Sequence, residues 1–336
     1  MKSTAFNGEV STNVYPELMR VLCEENSRMV DGKAGKDSFS QRAEALMKTQ
    51  FAAPVFTVET INGTAANMLA LKCMLHPWGS ILCAEETHIN TFECGATEFN
   101  LRAKIFSVPT GDGKLTKDHV LGMLEKCRHY GYLPSVLVIT QPTEYGVLYS
   151  MEELSELVKI AHEQNMYVYV DGARITYALA ALNTDFHAMI EQTDVDAFTF
   201  GGTKCGAMFG EMVVFRRSEF SEHLAYMQKQ SMQHFDKSKF LGLQLLYLLE
   251  SERWRSIAGR AITLAKYLEQ KLSEKGILSL FPVDTNMVFC HLDANQMECA
   301  AAEFDLHYWS SRERIVRLCI SHETAKEQID QLVSLL

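Results

Sequence analysis

The chain has 336 residues, 47% of them apolar and 22% charged, with a formal net charge of −10. That much apolar material excludes a disordered chain and allows one large domain or two of ordinary size. The excess of 42 acidic over 32 basic residues speaks against nucleic acid, whose phosphates select basic surfaces. No apolar run reaches the roughly 18 residues of a membrane span. The start has neither a signal peptide's apolar core nor an Arg-rich transit pattern, so a cytoplasmic protein is the expectation. Nine cysteines without a Cys-x-x-Cys pair argue for reduced thiols and against structural zinc, and nothing else calls for a metal.

Val55 to Val58 reads as a strand, followed by a helix over 64–75. Ile81–Ala84 and Ile105–Val108 read as further strands, the latter ended by Pro109 and a Gly-rich turn. A helix over 116–130 leads to Val136–Thr140, apolar enough to be buried on both faces. The spacing then predicts a helix over 151–164, the strand Tyr167–Val170, a helix over 176–191, and strands Ala197–Phe200 and Met212–Phe215. This alternation predicts an α/β domain on a mostly parallel sheet. After about residue 218 the pattern turns mostly helical to 275, with a long helix from Gly259 to Lys275. Strands near 278–281, 286–292 and 315–320 and a helix over 324–335 follow. The expected division is residues 1–218, an N-terminal arm plus the large domain, and 219–336, a smaller α+β domain.

Ligands of open parallel sheets bind at the carboxyl ends of strands, and four segments there carry chemistry. Asn62-Gly63-Thr64 opens a helix, where free N–H groups and a hydroxyl suit a phosphate; an ordinary cap by Thr64 is the plainer reading. Asp171-Gly172-Ala173-Arg174 follows an apolar strand. Its carboxylate either pairs with Arg174 or faces a protonated ring nitrogen. Lys204 stands among glycines in Gly201–Gly206, where desolvation would lower its pKa and favour attack on a carbonyl; alone, it reads better as a surface lysine in a turn. His88, with Glu93 beyond it, could stack on a ring or act as a base, or be an ordinary loop histidine. Together the four supply what pyridoxal 5′-phosphate requires.

The same residues carry a family resemblance. GTAAN at 63–67, HINTFECGA at 88–96, VDGAR at 170–174, GGTKCGAMFGE at 201–211, DTNMVF at 284–289 and VRLC at 316–319 resemble the threonine aldolases, within the fold-type-I (aspartate-aminotransferase-like) pyridoxal phosphate enzymes. The similarity spans nearly the whole chain and is closest to low-specificity L-threonine aldolases and β-eliminating lyases. It implies that Lys204 joins the cofactor aldehyde, that Asp171 pairs with the pyridine nitrogen, and that Gly63, Thr64 and Thr203 hold the phosphate. It places His88 on the ring, Arg174 near the ring hydroxyl or the substrate carboxylate, and Arg317 on that carboxylate; a surface arginine on an edge strand is the plainer reading of Arg317. It implies an amino-acid substrate and a homodimer or homotetramer with active sites between subunits.

The chain departs from the family pattern in three places. In Gly8–Pro16, Ser11 is retained as a substrate-binding candidate and Glu9 stands at the acidic position, but Asn13 and Tyr15 replace glycine and histidine. Ala34-Gly35-Lys36-Asp37 lacks the family's tyrosine, and Ser231 and Met232 stand where arginine and glycine are common. The expected reaction is cleavage of a β-hydroxy-α-amino acid to glycine and an aldehyde, with His88 or Glu93 as base. β-Elimination, a non-catalytic protein retaining the fold, and a phosphate- or nucleotide-binding α/β protein are the alternatives.

Overall fold

The computed structural model describes residues 2–28 and 37–336; the Ala34-Gly35-Lys36 departure lies outside them. Among the described residues, two α-helices precede the first strand. In α1 (Pro16–Asn26) the proline sits at the helix start, where its missing N–H costs nothing. In α2 (Ser38–Lys48) Asp37 accepts from the amides of Phe39 and Ser40. The chain then runs β1 (Phe56–Thr60), α3 (Gly63–Met74), β2 (Gly79–Ala84), α4 (His88–Thr91), α5 (Ala96–Leu101), β3 (Ile105–Val108), α6 (Lys117–His129), β4 (Leu133–Thr140), α7 (Met151–Glu163) and β5 (Tyr167–Asp171). α8 (Ile175–Ala181), β6 (Ala197–Gly201), β7 (Glu211–Phe215), α9 (Leu224–Gln230), α10 (Ser238–Leu249) and α11 (Arg253–Glu274) follow. β8 (Met287–His291), α12 (Ala294–Glu303), β9 (His307–Ser310), β10 (Ile315–Cys319) and α13 (Lys326–Leu335) complete it.

Seven strands form one sheet in the order β1-β7-β6-β5-β4-β2-β3, with β7 antiparallel to both neighbours and the other pairings parallel. Alternate strand residues face opposite cores. Leu82, Leu137, Val168 and Phe198 join one cluster and Ile81, Val136, Tyr169 and Ala197 the other, as a sheet covered on both faces requires. β8, β10 and β9 form a second, antiparallel sheet with its own core under α11 and α13. α10 lies beyond residue 218 but packs on α2 within the large-sheet core. No helix among the described residues is long and apolar enough to cross a membrane.

Two expected elements differ. The helix over 176–191 is interrupted: α8 ends at Ala181, Asn183 has a left-handed φ of 48°, and His187–Glu191 forms a separate π-helical turn. The strand near 278–281 is reduced to a single bridge between Ser279 and Cys290. The apolar residues Ile277, Leu278 and Leu280 suggested it, but Leu278 is exposed.

Candidate active site

Strands β1, β2, β5 and β6 point the same way, so the segments after them converge on one edge. There they surround a cavity of about 250 Å³ that contains Gly63, Thr64, His88, Asp171, Thr203 and Lys204. Glycines make the convergence possible. A side chain on Gly172 would overlap the Thr199 carbonyl oxygen, and one on Gly201 the Ala173 carbonyl oxygen. Only bare backbone lets the β5 and β6 ends touch, which places Asp171 and Lys204 in the same cavity.

At the α3 end of the cavity, Asn62 caps the helix by accepting from the Ala65 amide at 2.9 Å. The Thr64 hydroxyl is therefore not the cap, contrary to the plainer reading. The Thr203 hydroxyl is buried beside the Glu211 carboxylate, without a hydrogen bond of full geometry to it. An unspent buried hydroxyl beside a glycine-opened helix start fits an anion. Glu211, at the start of β7, lines the same cavity and accepts from the Gly202 amide at 2.8 Å. Burial pushes its pKa up to about 7, opposed in part by the neighbouring Thr203 hydroxyl and then by the charge of Lys204.

The carboxylate end is a connected network. Asp171 Oδ1 accepts from the Ala173 amide at 3.1 Å, and Oδ2 accepts from Asn67 Nδ2 at 3.0 Å. The same Asn67 amide nitrogen donates to Glu93 Oε1 at 2.8 Å, and the Tyr169 hydroxyl donates to Asn67 Oδ1 at 2.7 Å. Glu93 Oε1 also accepts from His88 Nδ1 at 2.8 Å. In the neutral imidazole, donation from Nδ1 to Glu93 leaves Nε2 as the acceptor. Burial would lower the His88 pKa; the Glu93 hydrogen bond together with the charges of Asp171 and Glu144 outweighs it, and the net direction is upward. Glu93 itself is fully buried and does not line the cavity.

Arg174 does not pair with Asp171. Its Nε and one terminal nitrogen donate to the two oxygens of Glu9 at 2.6 and 3.1 Å, and its other nitrogen lies 3.8 Å from Glu144. Burial alone would raise the Glu9 pKa, but the Arg174 guanidinium holds it well below the usual carboxylate range. Asn286, from the DTNMVF segment, donates to Glu9 at 2.9 Å. Ser11 is exposed on the short turn Glu9–Ser11, and its carbonyl accepts from the Thr4 hydroxyl at 3.3 Å. From that turn, Val10 lines the cavity. Arg317 stands on β10 outside the cavity lining, its Nε buried without a partner, close to where a Gly8 side chain would begin. Asn62, Asn67, Glu144 and Glu211 line the cavity without having been singled out as site residues. Of these, Glu211 lay in a quoted motif and could have been found as a carboxyl seven residues past the lysine.

A lysine, a buried acid and an anion cradle at one edge of this sheet define an enzyme of the pyridoxal phosphate class. The model of the family described as beta-eliminating lyase matches residues 19–295, and the chain belongs to that family. It is 30% identical over 330 residues to the low specificity L-threonine aldolase of Pseudomonas aeruginosa, covering 97% of this chain and 95% of that one. The Saccharomyces cerevisiae low specificity L-threonine aldolase is 26% identical, over 85% of this chain and 73% of its own. A solved structure of Leishmania major threonine aldolase superposes with a TM-score of 0.93 at 25% identity, over 99% of this chain and 98% of that one.

Proposed function

We propose that this lyase cleaves a β-hydroxy-α-amino acid, threonine, allo-threonine or a relative, to glycine and an aldehyde. The observation that carries this is the shared cavity of Lys204, Asp171 and His88, on a chain whose relatives carry the same activity in their names. Bound pyridoxal phosphate supplies an aldehyde for the substrate amine and a protonated ring that accepts the electron pair left at Cα.

The chain's residues do the rest. Gly63, Thr64 and Thr203 hold the phosphate. Asp171, steadied by Asn67 and the Ala173 amide, keeps the ring nitrogen protonated. Lys204 is the amine that would hold the cofactor; the Tyr177 hydroxyl fixes its backbone by donating to its carbonyl at 3.0 Å. Arg317 binds the substrate carboxylate through its planar donor set. His88 covers the ring, and its Nε2 takes the β-hydroxyl proton, while Glu93 holds Nδ1. Arg174 and Ser11 serve as the border of the substrate end, Arg174 locked there by Glu9.

Incubation with L-threonine and L-allo-threonine should release glycine and aldehyde. Lys204→Ala should lose both turnover and visible absorption; an active Lys204→Ala enzyme would overturn the reading. β-Elimination is the second reading, favoured by the description of the matched family; release of pyruvate from L-serine without any glycine from threonine would select it. A homo-oligomer and a cytoplasmic location belong to the same proposal. An apolar groove lined by Leu22, Met208, Phe209 and Phe240 supports the first, and nine unpaired cysteines the second. Light scattering tests the assembly.

A further inference from the structure

An aromatic band leads away from His88. Phe92, just after α4, has its ring 5.6 Å from His88 and 5.8 Å from Trp309 of β9. The Arg317 guanidinium stands 5.8 Å from the Trp309 ring. Phe289 and Tyr145 back that ring edge-on at 5.3 and 5.5 Å, and Tyr145 stacks on Phe281 at 4.3 Å. Trp309 is thus held on the side away from the site. Phe92 is 51% exposed, so its ring is open to a ligand beside His88.

We propose that Phe92 and Trp309 form the subsite for the substituent on the substrate's Cβ and favour β-hydroxy-α-amino acids with large aromatic side chains. This rests on the aldolase reading. The band joins the stacking histidine to the carboxylate-binding arginine, so a substrate spanning the two lies along it. A phenyl ring there covers Phe92 and meets Trp309 in the tilted geometries aromatic rings prefer, whereas the methyl of threonine covers little of either. The band's rings present flat hydrocarbon, so it selects by apolar area.

The test compares kcat/KM for β-phenylserine and L-threonine in wild type, Phe92→Ala and Trp309→Leu. Calorimetry of L-phenylalanine against L-alanine on the same three proteins reads binding without turnover. Wild type should favour β-phenylserine by roughly tenfold or more, and each variant should lower that ratio by about tenfold, the scale on which apolar pockets discriminate. The calorimetric preference for L-phenylalanine should fall in parallel. Phe92 is half exposed, so its alanine variant should fold even if the Trp309 variant does not. An unchanged ratio and an unchanged binding preference in Phe92→Ala overturn the subsite. If neither substrate is cleaved but the binding preference is present and lost in the variants, the subsite stands and the aldolase reading falls.

Discussion

Arg174 grips both oxygens of Glu9 across 165 residues of chain, at 2.6 and 3.1 Å. The contact fastens the N-terminal turn to the loop after β5, and Asn286 ties the small domain to the same carboxylate. Both side chains of the pair are buried, so losing Glu9 leaves the Arg174 charge buried with only Glu144, 3.8 Å away, to offset it. Glu9→Ala should destabilise the fold by about 3–5 kcal/mol in urea unfolding. Replacing both partners with apolar residues should cost less than the sum of the single changes. A Glu9→Ala loss under about 1 kcal/mol would contradict this account.

The glycines divide into two kinds. Gly172 and Gly201 face backbone carbonyls where any side chain overlaps, whereas the nearest atom to a side chain on Gly63 is the Ala173 Cβ at 3.9 Å. Gly172→Ala and Gly201→Ala should each cost about 1–3 kcal/mol in thermal or chemical unfolding, by forcing the β5 and β6 ends apart. Gly63→Ala should change stability by under about 1 kcal/mol yet weaken cofactor binding, because the added methyl occupies the phosphate approach. Equal stability losses at all three positions would remove the distinction.

This contrast also explains what could be read from the chain alone. The residues after each strand are local features, and the parallel pattern places them at one edge; Lys204, Asp171, His88 and Thr64 were therefore legible. Contacts between distant segments leave no periodic trace. Glu9 with Arg174, Asn67 with Glu93 and Asp171, and Glu144 beside Arg174 depend on how the loops fold back. α12 was missed although Asp293 and Gln296 form a capping box, a signal present in the sequence. β9 has only four residues, half of them aromatic, and its pairing with β10 is irregular.

Glu211 makes the Thr203 end of the cavity sensitive to pH. Its folded pKa of about 7 lies above the ordinary 4.5 because of burial. A carboxyl raised in this way binds its proton more tightly when folded. Its contribution to stability is full below about pH 4.5 and is lost as pH rises through about 7. Comparing cofactor-free wild type with Glu211→Gln isolates this group from Glu59, which burial also raises, to about 8. Relative to the variant, wild type should lose about 3 kcal/mol between pH 5 and pH 8. A difference that stays flat across that range would show Glu211 to be ionised throughout.

The His88–Glu93 pair makes the opposite case. Burial pulls the histidine pKa down, and the 2.8 Å hydrogen bond to Glu93, with the charges of Asp171 and Glu144, pulls it up by more. Glu93→Gln removes that charge, so burial should prevail and the His88 titration should move to lower pH, read from its ring resonances by NMR. If the neutral imidazole takes the β-hydroxyl proton, the acidic limb of the kcat/KM profile should move down with it. The stability effect has its own sign. A raised histidine stabilises below about pH 6.5 and loses this as pH rises through its folded value, so wild type should exceed Glu93→Gln by more at pH 5.5 than at pH 9. Asn67 shares the same Glu93 oxygen, and Asn67→Leu should therefore disturb the His88 titration without touching the ring. A His88 resonance that ignores both substitutions would separate the histidine from the network and leave its free nitrogen without a fixed tautomer.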